Sequence, residues 1–324
     1  MDEPRKLISL VGPIYQGSTH AEPFYQQASE ALRELPYDYE IVLVDDGSTD
    51  DTFVRLLEIQ RADPEHVRVV RLSRNFGHHA AATAALEKAR GDYIFILDTD
   101  LQDDPRWINK FLETLEAEKL DMVYGFQSKR CGGFFERLFG MVFYWLFNKI
   151  SDVPITPNSI FARVMTRRFV DALLQLRESD RFLAGLMHWV GFPQRAVEIQ
   201  RVPRAYGKST YSLARKINLA LSAITSFSSA PLTWAMKLGF ITTFLGLALA
   251  LHFIVIKLFF PLSIGSGWTS IFSIILIVGG LNMFLTGMVG LYLSRTYAQV
   301  KHRPTYVIMT ELDATERAAL ARKE

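Results

Sequence analysis

The chain has little cysteine, little net charge and no long apolar run near its N-terminus. Its 324 residues include one cysteine, Cys131, which excludes an internal disulfide and fits a reducing compartment. The net charge is only +2, so the composition gives no reason to expect a nucleic-acid partner. The apolar run from Leu7 to Val11 is too short for the core of a signal peptide.

The sequence also lacks the two common glycine-rich phosphate motifs. It contains no G-x-G-x-x-G segment and no G-x-x-x-x-G-K-[S/T] phosphate loop. A nucleotide diphosphate bound by this chain would therefore need a metal ion and basic side chains, because no glycine loop is available to cradle it.

Strand-like and helix-like segments alternate over the first 126 residues. Helical spacing occurs between short apolar runs, which are typical of buried strands and lie at Leu7–Val11, Glu40–Val44, Val67–Leu72, Tyr93–Leu97 and Asp121–Phe126. This alternation predicts an α/β fold with a mostly parallel sheet flanked by helices.

Pairs of carboxylates follow two of the predicted strands. Asp45 and Asp46 come after the second strand, and Asp98 and Asp100 after the fourth. Ligands of open α/β sheets bind beyond the carboxyl ends of the strands, and acids at positions i and i+2 can face one cation. Oxygen ligands of this kind suit Mg²⁺ or Mn²⁺. An Asp-rich turn without a metal is the alternative that this pattern leaves open.

The last third of the chain holds two long uncharged runs, Leu238 to Ile256 and Trp268 to Leu293. Each is long enough to cross a hydrocarbon core of about 30 Å as a helix. Basic residues flank the outer ends of the pair. The positive-inside rule therefore predicts an inner-membrane protein with both termini and the N-terminal domain in the cytoplasm.

Two further segments predict contact with the membrane surface. Residues 134–149 form an apolar helical pattern, which suits either core packing or an interface, and residues 213–229 resemble a surface helix. The predicted organisation is an α/β domain over 1–212, an amphipathic helix over 213–232, two transmembrane helices over 233–295 and a cytoplasmic tail over 296–324. A charged, exposed helix is expected from Glu311 onward.

A basic segment, Arg201 to Tyr211, precedes the predicted surface helix. Its cations and hydroxyls crowd around Gly207, a composition that suits phosphate oxygens. A solvated loop that binds anionic lipid headgroups is the alternative.

Five motifs together resemble the family 2 glycosyltransferases, and more narrowly the polyisoprenyl-phosphate glycosyltransferases. The narrower group includes bactoprenol glucosyltransferases, dolichol-phosphate mannosyltransferases and undecaprenyl-phosphate aminoarabinose transferases. The motifs are Pro13-x-Tyr15, Asp45-Asp46-Gly47-Ser48-Thr49-Asp50, Arg74-Asn75-Phe76-Gly77, Asp98-Thr99-Asp100-Leu101-Gln102-Asp103 and Gly207-Lys208-Ser209-Thr210-Tyr211.

The resemblance implies a GT-A fold, an NDP-sugar donor and inversion at the anomeric carbon. The donor is expected to be UDP-glucose or a related UDP-hexose or aminosugar, the acceptor a polyprenyl phosphate such as undecaprenyl phosphate, and the protein a homo-oligomer such as a tetramer. The product would serve modification of cell-envelope glycans, including lipopolysaccharide.

The resemblance also implies a role for each motif. Asp100 would bind Mg²⁺ or Mn²⁺, and Asp98 and Gln102 would line the sugar and diphosphate site. The remaining implied residues are Pro13, Tyr15, Asp45 and Asp46 for base and ribose, Arg201, Arg204, Lys208 and Ser209 for the diphosphate, and Arg130 and Arg137 for the acceptor phosphate.

The chain departs from the family pattern at two places. Gln16-Gly17-Ser18 stands where the family usually has Asn-Glu, so one donor contact is altered and Glu22 is a candidate substitute. The stretch from Pro157 to Arg163 lacks the acid of the family's Gly-Asp-Phe-Arg motif. A phosphate monoester is already largely a dianion at pH 7. We therefore expect direct in-line attack on the sugar C1, with Asn158 and Arg163 as orienting groups.

Two other functions compete with this reading. A processive polysaccharide synthase would carry a Gln-x-x-Arg-Trp motif, which the sequence lacks, and a nucleotide-regulated membrane scaffold would not need the acidic set. The pair His78-His79 favours packing or acceptor contact over metal binding, because no cysteine lies near it.

Overall fold

The structure is a computed structural model. It describes residues 5–127, 141, 144–145, 147–149, 151, 156–178, 181–200, 228, 230–259 and 268–312. The segments around Arg130 and Arg137, most of the apolar segment 134–149, the basic segment 201–211 and the predicted surface helix up to residue 227 lie outside the described residues.

Strands and helices alternate in the N-terminal part of the chain, as the sequence predicts. The strands are β1 (Leu7–Ile14), β2 (Asp38–Asp45), β3 (Val67–Leu72), β4 (Tyr93–Ile96), β5 (Met122–Phe126), β6 (Ser159–Thr166), β7 (Gln194–Glu198) and β8 (Ile308–Leu312). The helices are α1 (Ala21–Arg33), α2 (Thr52–Ala62), α3 (His78–Lys88), α4 (Trp107–Ala117), α5 (Arg167–Gln175), α6 (Leu183–Trp189), α7 (Ala230–Phe259) and α8 (Trp268–Val300).

The described strands form one sheet in the order β7-β5-β6-β4-β1-β2-β3-β8. Strand β1 pairs in parallel with both β2 and β4, and β2 pairs in parallel with β3. The chain therefore moves outward from β1 to β3 and then returns to the other side of β1. This reversal creates a topological switch point at the carboxyl ends of β1 and β4, which is where open α/β sheets bind ligands. The predicted α/β class with a mostly parallel sheet is confirmed.

The sheet is buried on both faces, which explains the continuous apolar runs of its central strands. Alternate residues of β2 enter different cores: Ile41 and Leu43 pack on one face, and Val42 and Val44 on the other. The alanines of α3 are buried against the second of these cores. Small side chains let this helix lie close to the strands, because they bring its backbone near the sheet.

Two strands of the sheet were missed by the sequence analysis. Strand β6 is inserted between β4 and β5 and runs antiparallel to both. Strand β7 lies at the edge beside β5 and is only partly buried. The pattern of the first five strands does not extend to either one, since β6 follows a long insertion and β7 lacks a continuous apolar run.

The C-terminal tail was predicted incorrectly. Helix α8 continues to Val300, beyond the expected boundary at 295, and β8 then pairs antiparallel with β3 at the sheet edge. The expected exposed helix is therefore wrong at Glu311 and Leu312, while residues 313–324 lie outside the described residues. The strand forms here because the open edge of β3 supplies backbone partners that a solvated tail would lack.

Ion pairs attach β8 to the sheet domain. The Glu311 carboxylate lies 3.0 Å from Arg68 Nη2 and also pairs with Lys88. Arg68 is buried and contacts Glu40 as well, at 3.4 Å. The strand that follows α8 is thus held both by its ladder and by a partly buried charge network.

The two long C-terminal helices expose most of their described apolar side chains. Helix α7 has 30 residues and α8 has 33, with exposed side chains such as Phe244 and Met283. Within the described residues, one segment, Ile277–Val300, is long and apolar enough to cross a membrane. The predicted pair of spans is therefore supported in its helical form, and its second span stays a prediction.

Replacing Glu311 by Gln should destabilise the fold. The change removes the charge that faces buried Arg68, so we expect the free energy of unfolding to fall by about 2 kcal/mol. Denaturant titration of the full chain in detergent measures this. The matched control is Glu58→Gln, which breaks an exposed pair with Arg55 and should cost well under about 1 kcal/mol. Equal losses in the two variants would contradict a structural role for the β8 pair.

Candidate active site

The carboxyl ends of three neighbouring strands meet at one edge of the sheet. In the register of the ladders Ile14 lies beside Asp45, and Val11 lies beside Ile96. The segments that follow these strands carry the acids and aromatics singled out in the sequence. Tyr15 is 45% exposed at this edge, whereas Asp45 and Asp46 are buried. The result is an acidic crevice at the switch point.

The turn after β4 is bound to the end of β1. Thr99 donates a hydrogen bond from its hydroxyl to the Pro13 carbonyl oxygen over 3.0 Å. A side chain on Gly12 would lie 2.6 Å from the Thr99 methyl group, so this close approach requires glycine. The contact holds the acid-bearing turn, with Asp98 and Asp100 on either side of Thr99, against β1.

Asp100 also shapes the loop that follows it. Its Oδ1 accepts a hydrogen bond from the Gln102 backbone N–H at 3.1 Å, around Leu101 with φ of 62°. Gln102 and Asp103 are buried beneath this turn. Asp100 therefore combines a local turn contact with a partly exposed carboxylate, while Gln102 lies deeper than a sugar-lining role would require.

Asp45 stabilises the turn after β2. Its Oδ1 accepts the Ser48 N–H at 2.9 Å, and its Oδ2 lies 3.3 Å from Arg71 Nε. Gly47 adopts φ of +66°, and an added Cβ there would lie 2.4 Å from the Arg74 backbone. The turn thus needs glycine for both reasons, and the Asp45 carboxylate is committed largely to the protein itself.

Asp46 links the turn after β2 to the segment that begins α3. Its two carboxylate oxygens accept the backbone N–H groups of Phe76 and Gly77 at 2.8 and 2.9 Å. Burial raises the pKa of Asp46, although the two hydrogen bonds oppose that change. Each oxygen retains one lone pair, so a bound ligand could still donate to this carboxylate.

The departure Gln16-Gly17-Ser18 lies against the same turn. The backbone N–H of Gln16 donates to Ser48 Oγ at 2.9 Å, and that of Gly17 donates to Thr52 Oγ1 at 2.8 Å. The backbone of this segment is therefore held by hydroxyls of the motif that follows β2. Glu22, the candidate substitute, is exposed in α1 and accepts a hydrogen bond from Gln26.

His78 is the residue that the sequence analysis undervalued. Its Nε2 lies 3.4 Å from Asp98 Oδ1, and its ring packs edge-on against Phe161 at 4.5 Å. Burial lowers the pKa of His78, while the charges of Asp46 and Asp100 raise it. The ring thus lies among carboxylates from two separate turns. Only the position of the α3 N-terminus beside β4 brings them together.

His79 lies on the inner side of the same helical turn. Its Nδ1 is buried without a hydrogen-bond partner among the described residues, and Phe182 lies edge-on at 6.1 Å. Burial, together with the charges of His78 and Arg163, lowers the pKa of His79 to about 4. This ring is therefore a neutral packing residue at physiological pH, as the sequence analysis favoured.

Arg163 lies beneath the crevice and does not open into it. Its guanidinium donates to the carbonyls of Phe161 and Ile160 at 2.9 and 2.8 Å, and Nη1 lies 2.9 Å from Met187 Sδ. Burial lowers the pKa of Arg163 to about 10, while the charges of Tyr124, Asp98 and Asp103 raise it. Arg163 can thus stabilise the acids from below, which differs from direct contact with an acceptor.

Asn158 lies at the start of β6 with φ of 57°, a left-handed conformation that asparagine tolerates. Its carbonyl accepts the Gln127 N–H at 3.2 Å. Six further predicted residues lie outside the described residues, so their positions relative to the crevice stay predictions: Arg130, Arg137, Arg201, Arg204, Lys208 and Ser209.

The described acids fit a metal that shares its ligands with a substrate. No group of three or more His, Cys, Asp or Glu side chains in the described part of the chain is arranged to hold an ion. Mg²⁺, however, commonly takes one or two carboxylates and completes its shell with phosphate oxygens and waters. Asp98 and Asp100, on one turn at the mouth of the crevice, supply that smaller set of hard ligands.

The sheet and its acidic switch-point crevice define an α/β protein built to bind a ligand beyond its strand ends. Residues 9–173 match the profile of glycosyl transferase family 2. The matched region contains the strands and turns that form the crevice. The chain belongs to this family.

Relatives with named activities match nearly the whole chain. A bactoprenol glucosyl transferase of Shigella phage SfV is 35% identical over 307 residues, covering 94% of this chain and 98% of the relative. An undecaprenyl-phosphate 4-deoxy-4-formamido-L-arabinose transferase of Pseudomonas fluorescens is 32% identical, covering 94% and 89%. The uncharacterized glycosyltransferase YkcC of Bacillus subtilis is 34% identical, covering 93% and 92%. The resemblance stated from the motifs is confirmed.

Replacing Asp46 by Asn should destabilise the protein. An amide offers one acceptor where the carboxylate offers two, so the N–H of Phe76 or of Gly77 would lose its partner. We expect a loss of about 1–3 kcal/mol in the free energy of unfolding, measured by denaturant titration in detergent. Asp51→Asn is the matched control, because this exposed N-cap makes no side-chain cap bond. A stable Asp46 variant would disprove the linking role.

His79 should make the fold sensitive to acid. The unfolded chain protonates this ring near pH 6.5, whereas the folded chain does so only at about 4. Its effect is therefore absent above pH 6.5, and stability falls as the pH drops from 6.5 towards 4, by up to about 3 kcal/mol.

The variant His79→Leu tests this expectation through a slope rather than an absolute stability. Denaturant titrations at pH 7.5, 6 and 5 should show a shallower loss of stability with falling pH than the unmodified chain shows. Stability at pH 7.5 separates packing effects from protonation. Parallel pH profiles for the two proteins would refute the assignment.

Proposed function

We propose that this protein transfers a single sugar from an NDP-sugar to a polyprenyl phosphate, with inversion at the anomeric carbon. The observation that carries the proposal is the acidic crevice at the switch point, in a chain that also carries long apolar helices. Relatives named for transfer to bactoprenol and to undecaprenyl phosphate match over more than nine tenths of the chain. The product would be a polyprenyl-phosphate-linked sugar for cell-envelope glycans.

The donor nucleotide would occupy the β1 and β2 side of the crevice. Exposed Tyr15 offers a ring face to a base, and Pro13 lies beside it on β1. Asp46 has lone pairs left to accept from ribose or base donors. Asp45, which is buried and paired with Arg71, would act mainly by holding the turn in shape. A uracil base and a glucose-like or aminosugar donor are the expected class.

The diphosphate would lie over the turn after β4. Asp100, with Asp98 beside it, would hold Mg²⁺ or Mn²⁺, and the ion when bound would neutralise charge on the departing nucleotide. His78 lies within 3.4 Å of Asp98 and would fix the direction of that carboxylate. The basic residues proposed for the other side of the diphosphate are Arg201, Arg204, Lys208 and Ser209.

The acceptor needs correct placement more than a general base. Its phosphate is already largely a dianion at pH 7, so a phosphate oxygen can attack C1 directly as the bond from C1 to the diphosphate oxygen breaks. Arg130 and Arg137 would bind that phosphate. Asn158 and Arg163 would orient the site from the β6 side, and Arg163 would do so through the charges of the acids above it.

The exposed apolar helices support a membrane location for this reaction. Polyprenyl phosphate is confined to a bilayer, so the enzyme must meet it at the membrane surface. We assign both α7 and α8 as spans, with the sheet domain and both termini on the cytoplasmic side, from the basic residues at the outer helix ends. A homo-oligomer such as a tetramer is part of the same proposal.

Product analysis distinguishes this function from its two rivals. Membranes that contain the protein are incubated with labelled UDP-glucose and undecaprenyl phosphate, and the organic phase is extracted. Label in a lipid of one-sugar size supports the proposal. Label in polymer indicates a processive synthase, and no transfer from any of a panel of NDP-sugars indicates a scaffold.

Replacing Asp100 by Asn should abolish transfer almost completely. The variant loses the charge that faces the metal while retaining an oxygen for the Gln102 turn contact, so turnover should fall by at least about a thousandfold. The initial rate of lipid-linked sugar formation measures this. Asp171→Asn, on exposed helix α5, is the matched control and should be as active as the unmodified chain. Unchanged turnover in the Asp100 variant would refute the metal role.

A further inference from the structure

A second polar cavity lies at the opposite end of α3 from the crevice. It has a volume of about 610 Å³, and its walls come from the end of α3, the segment after α5 and the connection from α8 to β8. Glu87 lines this cavity, nine residues along α3 from His78, which corresponds to about 13 Å of helix. The cavity is therefore separate from the proposed transfer site.

Arginine side chains dominate the charge of this cavity. Arg177, Arg181 and Arg303 line it together with His302, while Glu87 and Glu178 are its acids. Within the described residues, neither Arg177 nor Arg303 forms an ion pair. The cavity thus carries a surplus of positive charge.

Arg181 is the buried cation of this group. Only 9% of the residue is exposed, its Nη2 donates to the Leu176 carbonyl, and its Nε is buried without a partner among the described residues. A buried charge is costly unless a counter-ion and hydrogen bonds satisfy it. Glu87 accepts the Tyr306 hydroxyl, so one of the two nearby acids is already engaged. The unused guanidinium donors are suited to an anion with several acceptor oxygens.

The cavity is held in shape by contacts between the sheet domain and the end of α8. Gln299 donates from Nε2 to the Arg177 carbonyl at 2.7 Å, and Tyr306 contacts Glu87. The segment Ile277–Val300 is the candidate membrane span, so the cavity lies where that helix would leave the bilayer. Basic residues at such a position commonly meet lipid phosphates.

We propose that this cavity is an anion site that binds a phosphate group through Arg177, Arg181 and Arg303. The phosphate belongs to the headgroup of an anionic phospholipid or to a soluble phosphate, and both present the same oxygens to the guanidinium groups. The site is independent of the proposed transfer reaction, because it shares no residue with the crevice.

Binding measurements on the full chain in neutral detergent test the site. Three probes are titrated by calorimetry: inorganic phosphate, dihexanoyl phosphatidylglycerol and, as the zwitterionic comparison, dihexanoyl phosphatidylcholine. The test variant is R177Q/R303Q, which changes two exposed side chains and leaves the buried Arg181 in place. The matched control is R55Q/R195Q, which removes the same charge from exposed positions elsewhere.

We expect phosphate binding to weaken at least tenfold in R177Q/R303Q and to remain unchanged in R55Q/R195Q. Phosphate bound in the acidic crevice would be equal in all three proteins and does not affect the comparison. Tighter binding of the phosphatidylglycerol than of inorganic phosphate identifies a lipid headgroup as the ligand, and equal binding identifies soluble phosphate. The proposal is overturned if neither anion binds, if phosphatidylcholine binds equally well, or if both variants lose affinity alike.

A second variant guards against a loss that comes only from misfolding. Arg181→Lys keeps a positive charge in the cavity but not the planar set of donors, so it should weaken phosphate binding by a smaller factor than R177Q/R303Q. Sugar transfer by each variant is measured in parallel. Retained transfer with lost phosphate binding separates the two sites, and an inactive chain that still binds phosphate sets aside the transfer proposal alone.

Discussion

The convergence of the β1, β2 and β4 ends at one edge of the sheet is the constraint on which the rest of the structure depends. Parallel strands buried on both faces leave only their ends for polar side chains, so the acids of separate turns must meet there. Two cross-connections maintain this meeting: Thr99 binds the Pro13 carbonyl, and Asp46 binds the amides of Phe76 and Gly77. Each shapes a turn through its backbone and leaves the crevice itself polar.

Concentrating carboxylates in one crevice has an electrostatic cost that the surrounding residues reduce. Arg71 pairs with Asp45 at the side, Arg163 lies beneath Asp98 and Asp103, and His78 contacts Asp98 from the start of α3. None of these residues cancels the field at the mouth, where Asp98 and Asp100 lie. A divalent cation that arrives with a diphosphate would complete the balance, and this explains how a site with few protein ligands can suit a metal.

The last part of the chain joins the membrane helices to the sheet more closely than a free tail would. Strand β8 follows α8 by a short connection and pairs with β3, while Glu311 joins Arg68 and Lys88. The same connection forms one wall of the arginine-lined cavity. A movement of α8 would therefore act on both the sheet edge and the cavity, since no long linker separates them.

Much of the fold and part of the site could be predicted from sequence, for physical reasons that particular residues illustrate. The apolar run before Asp98 indicated a strand buried on both faces, and that alone located the acids at a ligand-binding edge. The pairing of His78 with Asp98 could not be predicted, because the two residues are 20 positions apart and meet only when α3 packs beside β4. Strands β6 and β8 were missed for a similar reason, as each is stabilised mainly by the open strand edge that it covers. The sequence by itself thus determined the α/β class, the family and the acids of the crevice, since these follow from local patterning and motif. Only the tertiary structure decided which side chains balance those acids and what the tail does, because both depend on contacts between segments far apart in the chain.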